Sequence, residues 1–209
     1  MRIVIADDHP LVREGIKRIL QTERDIQIEY EASNGTDLLS FVRGHNPDLV
    51  ILDLTMPGKS GLDVLKELRA LSPKLPIVVL SMHPEDRFAV RAIRSGASAY
   101  ITKENALKEL ATAIRTVISG NRYITPAVGA QLARVVGTRG GKAPHESLSD
   151  REFQVFLLLA AGKSVAQISQ ELYLSVNTVN TYRTRILEKI GVKSNVELAL
   201  YAFRNGLIE

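Results

Sequence analysis

Acidic, hydroxyl and basic residues stand directly behind runs of apolar ones. Asp7 and Asp8 follow Ile3-Val4-Ile5-Ala6, Asp53 follows Leu49-Val50-Ile51-Leu52, Ser81 follows Ile77-Val78-Val79-Leu80, and Lys103 comes just after Ala99-Tyr100-Ile101. If each run is a strand of one parallel sheet, these side chains gather at its carboxyl edge, where open α/β sheets place their working groups. Three clustered carboxylates repel one another unless a cation intervenes, and an all-oxygen site with room for water suits Mg2+. Lys103 adds a compact positive charge for an anion such as phosphate. The chemistry that fits is phosphoryl transfer to Asp53 as nucleophile, with Mg2+ held by its acidic neighbours and Lys103 neutralising the transferred oxygens; the product is an aspartyl phosphate.

The elements that must position this set are legible in the apolar periodicity. A weaker strand-like run lies around Ile26-Gln27-Ile28, and between the runs come segments of helical spacing such as Leu11, Ile16, Ile19 and Leu20, or Leu62, Leu65, Leu68 and Leu71. Strand and helix alternate five times, and strands apolar on both faces belong inside a parallel sheet covered by helices. Residues 1–120 are therefore read as an α/β doubly wound parallel five-stranded domain. The chain has 209 residues and no cysteine, which excludes a disulfide framework or a thiolate metal site. With Asp7, Asp8 and Glu14 near its start and no uncharged apolar run approaching the roughly 18 residues that span a bilayer, a soluble cytoplasmic protein with no membrane partner is expected.

After Gly120 the pattern changes. Residues 121–145 read as a linker with a short helix, in which an apolar stretch from Val128 to Val136 precedes the Gly-rich, basic run Gly137 to Pro144. Residues 146–209 look wholly helical. Ser149 with Glu152, Ser164 with Gln167 and Ser194 with Glu197 form capping-box patterns and Ser175 is a plainer cap, giving a small all-α four-helix domain with helices near 149–162, 164–172, 175–189 and 194–205. The short interval between the second and third suggests a helix-turn-helix. Residues 1–120 hold 16 Lys and Arg against 16 Asp and Glu, and residues 121–209 hold 11 against 7, so the whole excess of +4 lies in the second part. In the third of these helices Val179, Tyr182, Ile186 and Ile190 form a buried stripe, and the opposite face carries Asn177, Asn180, Thr181, Thr184, Arg185 and Glu188. Asn and Arg can bond base edges in a major groove, and Thr can meet a thymine methyl or a phosphate.

Asp7-Asp8, the run Asp53-Leu54-Thr55-Met56-Pro57-Gly58 with Gly61, Ser81, and Tyr100 with Lys103 resemble the receiver domain of two-component response regulators. Leu148-Ser149-Asp150-Arg151-Glu152, Leu158 to Ser164, Thr178-Val179 and Lys189-Ile190-Gly191-Val192 are similar to the LuxR-type helix-turn-helix. Together they identify the chain as a member of the NarL/FixJ family. The resemblance implies that Asp53 is the phosphoacceptor, that Asp7, Asp8, Asp53 and the backbone carbonyl of Thr55 bind Mg2+, that Ser81 and Lys103 contact the phosphoryl group, and that Ser81 and Tyr100 form the conformational switch. It implies DNA contacts from Asn177, Thr178, Asn180, Thr181, Arg183, Thr184, Arg185, Lys189 and Lys193. It implies a sensor histidine kinase and double-stranded DNA as partners, a homodimer when phosphorylated, and allows RNA polymerase as a further partner. The family often has Lys, His and Arg where Asn180, Tyr182 and Asn195 stand here, so the base preference and some backbone contacts differ, with weaker non-specific affinity.

Competing readings fit less well. A phosphohydrolase of the haloacid-dehalogenase type needs a second Asp two residues past the nucleophile, where this chain has Thr55. A receiver-like binding module that is never phosphorylated would lack Asp8, Asp53 or Lys103, and a metabolite-sensing LuxR-type activator would not begin with this strand and helix alternation. His9-Pro10 reads as the opening of the first helix and His45 as part of a turn. His83, two residues past Ser81, lines the approach to the phosphoryl group in the family and is a candidate influence on hydrolysis.

Overall fold

A computed structural model describes residues 1–23, 25–82, 84–137 and 143–208. The chain divides into two compact units, Met1–Val136 and Gly137–Glu209. The central residues of the expected flexible linker, 138–142, lie outside the described residues.

The first unit is a parallel five-stranded sheet of β1 (Arg2–Ala6), β2 (Gln27–Ala32), β3 (Leu49–Asp53), β4 (Ile77–Ser81) and β5 (Ala99–Thr102), in the order β2-β1-β3-β4-β5. Five helices alternate with the strands: α1 (Pro10–Leu20), α2 (Gly35–Gly44), α3 (Gly61–Leu71), α4 (Glu85–Arg94) and α5 (Ala106–Ile118). β3 and β4 are buried along their whole length, which their uninterrupted Val, Ile and Leu content allows because both faces are covered by helices. The edge strand β2 keeps Glu29, Tyr30 and Glu31 within it, since an edge strand need not be apolar on both faces, and it runs well past the Ile26 to Ile28 stretch. One face of the sheet packs Ile3, Ile5, Leu49, Ile51, Val78 and Leu80 against Ile16 and Leu20 of α1 and Leu110 and Ile114 of α5. Leu11 shares the helical spacing of α1 but is 87% exposed.

Beyond α5 the backbone of Tyr123 donates to the Ser98 carbonyl at 3.1 Å. The Tyr123 hydroxyl donates to Glu109 Oε2 at 3.1 Å, and the Thr125 hydroxyl to Glu85 Oε2 at 2.6 Å. The next helix, α6 (Pro126–Gly137), follows from Thr125.

The second unit contains a short 3-10 turn at Pro144–Ser147 and the helices α7 (Asp150–Ala160), α8 (Val165–Glu171), α9 (Val176–Ile190) and α10 (Asn195–Arg204). Its core joins Phe153, Phe156, Ile168, Val179, Ile186 and Leu198. The capping boxes at Ser149 and Ser164 are complete, with the side chain of the third residue returning to the cap amide in each. At Ser194 only half forms: Ser194 Oγ accepts from Glu197 N, but Glu197 Oε2 accepts from Lys193 N at 2.9 Å instead. Ser194 is extended at φ −143°, against −60° and −71° at the other two caps, and this turns its own amide away from Glu197. The turn from α8 to α9 is tight enough to hold Tyr173 at φ +53°, a left-handed conformation that a bulky residue adopts only at a cost. Gly191 closes α9 in the same region at φ +78° without that cost.

Candidate functional site

Strand register brings the chemically active residues to one level. Ala6 lies opposite Leu52, Asp53 opposite Leu80, and Ser81 opposite Thr102. Asp7, Asp53, Ser81 and Lys103 are therefore at neighbouring strand ends, and the Lys103 amide donates to the Ser81 carbonyl at 2.8 Å. The Lys103 ammonium stands 2.7 Å from Asp7 Oδ2 and 2.8 Å from Asp53 Oδ2. Both of those carboxylates are 1% exposed. Ser81 is fully buried, and Tyr100 is buried as well.

Local backbone contacts fix how the acids point. The Thr55 amide donates to Asp53 Oδ1 at 3.0 Å, and the His9 amide donates to Asp7 Oδ1 at 2.8 Å. The loop after Asp53 turns through Gly58 at φ +85° and closes with Gly61 against the strand end. A Cβ on Gly61 would lie 2.4 Å from Leu54 Cα and 2.8 Å from the Asp53 carbonyl oxygen, so only glycine fits there.

The electrostatics follow from burying two carboxylates beside one ammonium. Burial pushes the Asp53 carboxyl up to about 6, with Asp7 adding to the rise and the Lys103 ammonium opposing it. Burial alone would lower Lys103, but Asp53 and Asp7 hold it above its ordinary value. Oxygens of Asp7, Asp8 and Asp53, with a ring nitrogen of His9, all lie within 4.8 Å of one another. Three hard carboxylates outnumber the single ammonium, and a further cation would offset the remaining negative charge and favour the ionised form of Asp53. The donor set therefore fits Mg2+.

Asp7, Asp8, Asp53, Ser81 and Lys103 come to one strand edge, Thr55 lies beside Asp53, and Tyr100 sits on β5, separated from β3 by β4. His83 lies outside the described residues. His9, read from the sequence only as a helix opening, caps α1 through its backbone while its Nδ1 lies 2.9 Å from Asp8 Oδ1. Arg13 and Glu31 carried no chemical reading in the sequence, yet Arg13 donates both to Glu31 and to the Asp7 carbonyl.

In the second unit α9 buries Val179, Ile186 and Ile190 and half-buries Tyr182, while Asn177, Asn180, Thr181, Thr184, Arg185 and Glu188 are exposed. The hydroxyls of Thr181 and Thr184 donate back to the carbonyls of Asn177 and Asn180, while both residues stay exposed. The Thr178 hydroxyl is shared with Ser175 at the helix cap, 2.8 Å away. Arg183 Nε donates to Asn195 Oδ1 at 2.8 Å and Lys189 Nζ to Glu152 Oε2 at 2.7 Å, so both cations also tie α9 to neighbouring helices. Lys193 is exposed beyond the end of α9.

Comparison with known proteins agrees over the full length. Residues 3–115 match the response regulator receiver domain, and residues 146–202 match the bacterial regulatory proteins of the luxR family. The chain is 41% identical over 210 residues to response regulator GacA of Pseudomonas aeruginosa, covering 100% of this chain and 98% of that one. It is 36% identical over 208 residues to response regulator UvrY of Escherichia coli, covering 99% and 95%. Among solved structures it resembles RcsB of Salmonella enterica serovar Typhimurium bound to promoter rprA in the presence of phosphomimetic BeF3−, at 25% identity, TM-score 0.63, and coverage of 96% and 98%. The chain thus belongs to the NarL/FixJ family of two-component response regulators, pairing a receiver domain with a LuxR-type helix-turn-helix DNA-binding domain.

Proposed function

We propose that a sensor histidine kinase phosphorylates this regulator on Asp53, and that the phosphorylated form binds specific DNA as a homodimer to control transcription. The observation that carries the reading is the placement of the Lys103 ammonium within 2.8 Å of both Asp7 and Asp53, at a strand edge that also holds Asp8 and Ser81. In the transfer an Asp53 carboxylate oxygen forms the new bond to phosphorus as the phosphorus–nitrogen bond of a phosphohistidine breaks, and the imidazole leaves with a proton. Asp7, Asp8, Asp53 and the Thr55 carbonyl would hold Mg2+, which when bound supplies charge neutralisation at the phosphoryl oxygens. Lys103 neutralises one of those oxygens, Ser81 hydrogen-bonds another, and the Thr55 amide already fixes the rotamer of Asp53. Movement of Ser81 toward the phosphoryl group opens space for Tyr100 to change position, the switch step.

The functional division is residues 1–120 as receiver, 121–145 as linker and 146–209 as the DNA-binding domain. α9 would enter the major groove, with Asn177, Asn180, Thr181, Thr184 and Arg185 toward bases and Thr178, Arg183, Lys189 and Lys193 toward phosphates. On α10, Val196, Leu200 and Phe203 recur at helical spacing and are 80%, 47% and 62% exposed, an apolar row fit to pair with a second copy. The RcsB relative, solved on promoter DNA in the presence of a phosphomimetic, supports DNA binding by the phosphorylated form.

The reading is tested by exposing the protein to Mg2+ and acetyl phosphate and locating the label by mass spectrometry. Label on Asp53, lost in Asp53→Asn, is expected; equal labelling of Asp53→Asn would overturn the assignment.

A further inference from the structure

The loop from β1 to α1 carries two of the three clustered carboxylates, and its backbone is held by a side chain outside the cluster. Arg13 lies in α1, and its side chain is 17% exposed. Its Nη1 donates to the Asp7 carbonyl at 2.7 Å and its Nε to Glu31 Oε2 at 2.9 Å. Glu31 Oε1 also accepts from Lys17 Nζ at 2.7 Å, and Lys17 pairs in turn with Glu14. On its other side the Asp7 amide donates to the Ala32 carbonyl at 3.1 Å. Both main-chain groups of Asp7 are thereby tied to β2, the amide directly and the carbonyl through Arg13.

That carbonyl belongs to the peptide joining Asp7 to Asp8. Fixing its plane fixes the directions in which both carboxylates leave the backbone. The guanidinium suits the task because its rigid fork can serve two acceptors on different segments, the loop after β1 and strand β2, which a lysine ammonium on a flexible stem does poorly. Charge is balanced at the same time. Arg13 and Lys17 face Glu31 and Glu14, so the clamp sets no net positive charge beside a site that must attract a divalent cation. Glu31 is held below the ordinary carboxylate range chiefly by Lys17, with Arg13 adding to it, so this balance persists at neutral pH.

We propose that Arg13 is a positioning residue for the cation site: by locking the Asp7–Asp8 peptide against Glu31 it sets divalent-cation affinity, and through it the metal concentration at which Asp53 is phosphorylated. The inference rests on the reading of the acid cluster as a Mg2+ site. Arg13 touches neither phosphoryl group nor metal, so its loss moves affinity and leaves the chemical step intact.

The experiment uses full-length protein and Mn2+ alone as the probe, with free Mn2+ read by electron paramagnetic resonance. Outer partners of metal ligands typically carry 10- to 100-fold in affinity, so Arg13→Ala is expected to weaken Mn2+ binding about tenfold, with Arg13→Lys still clearly weakened. In acetyl phosphate labelling, half-saturating Mg2+ should rise by the same factor while the rate at saturating Mg2+ stays within about twofold of wild type. General unfolding would lower that maximal rate instead. Glu31→Gln serves as the second variant if Arg13→Ala does not fold, and it should weaken Mn2+ binding in the same direction. Mn2+ affinity within about twofold of wild type in the folded variants, or a lost maximal rate with unchanged half-saturation, would overturn the clamp. Failure of the wild-type protein to bind Mn2+ would overturn the metal reading beneath it, a result distinct from wild-type binding that the variants share.

Discussion

Lys189, on the helix expected to read DNA, donates its ammonium to Glu152 Oε2 at 2.7 Å, and the same carboxylate oxygen accepts from the Ser149 amide at 2.7 Å. One carboxylate thus completes the cap of α7 and anchors the last turn of α9. Burial alone would raise Glu152, but Lys189 and then Ser149 hold it below its ordinary value of 4.5. A carboxyl depressed in the folded state stabilises it above the unfolded value and loses that contribution as pH falls through the folded one. Lys189→Ala should therefore lower stability by about 1 kcal/mol near pH 7. The difference from wild type should fade below pH 4.5 as Glu152 takes up a proton. Thermal melts of both proteins across pH check this.

The same pairing bears on DNA affinity. A cation that only contacts phosphate changes the salt slope by about one unit when removed. Because Lys189 is already engaged by Glu152, its removal should change the slope by less, whereas Lys193→Ala, exposed beyond α9, should come nearer the full unit. Binding titrations at several salt concentrations separate the two.

Asn180→Ala and Thr184→Ala should change which sequences are preferred, since both side chains are exposed on the face opposite Val179 and Ile186. A wrong or missing base contact typically costs about 1–3 kcal/mol of discrimination. Selection of bound sequences from a random pool reads the change directly, and identical preferences in both variants would show that this face does not read bases.

Gly61→Ala should destabilise the receiver by about 1–3 kcal/mol, because the added methyl meets backbone rather than a movable side chain. The backbone it meets belongs to Asp53 and Leu54, so phosphorylation should slow even where the protein remains folded. Denaturant titration and labelling rate together test this.

Much of this site was legible in the sequence because parallel strands end at one edge, and a polar residue after an uninterrupted apolar run marks that edge. Asp7, Asp53, Ser81 and Lys103 were found that way. β2 was only partly visible, since an edge strand tolerates Glu29 and Glu31 and so shows little apolar signal. Leu11 matched the α1 stripe by spacing, yet it is exposed, and periodicity alone does not tell which positions of a stripe are covered. The clamp of Arg13 was hidden because one of its acceptors is a main-chain carbonyl, which has no residue type to recognise, and the other lies 18 residues away. The incomplete box at Ser194 differs from the others in backbone angle, which the pattern of Ser and Glu does not encode.

The central claim is that phosphate on Asp53 controls DNA binding, and the most direct measurement is the affinity of full-length protein for a selected DNA site with and without acetyl phosphate and Mg2+. Wild type should bind at least about tenfold more tightly when phosphorylated, a shift of about 1.4 kcal/mol, while Asp53→Asn stays at the unphosphorylated affinity under both conditions. Equal tightening in wild type and Asp53→Asn, or none in a wild-type sample shown to be phosphorylated, would contradict the account.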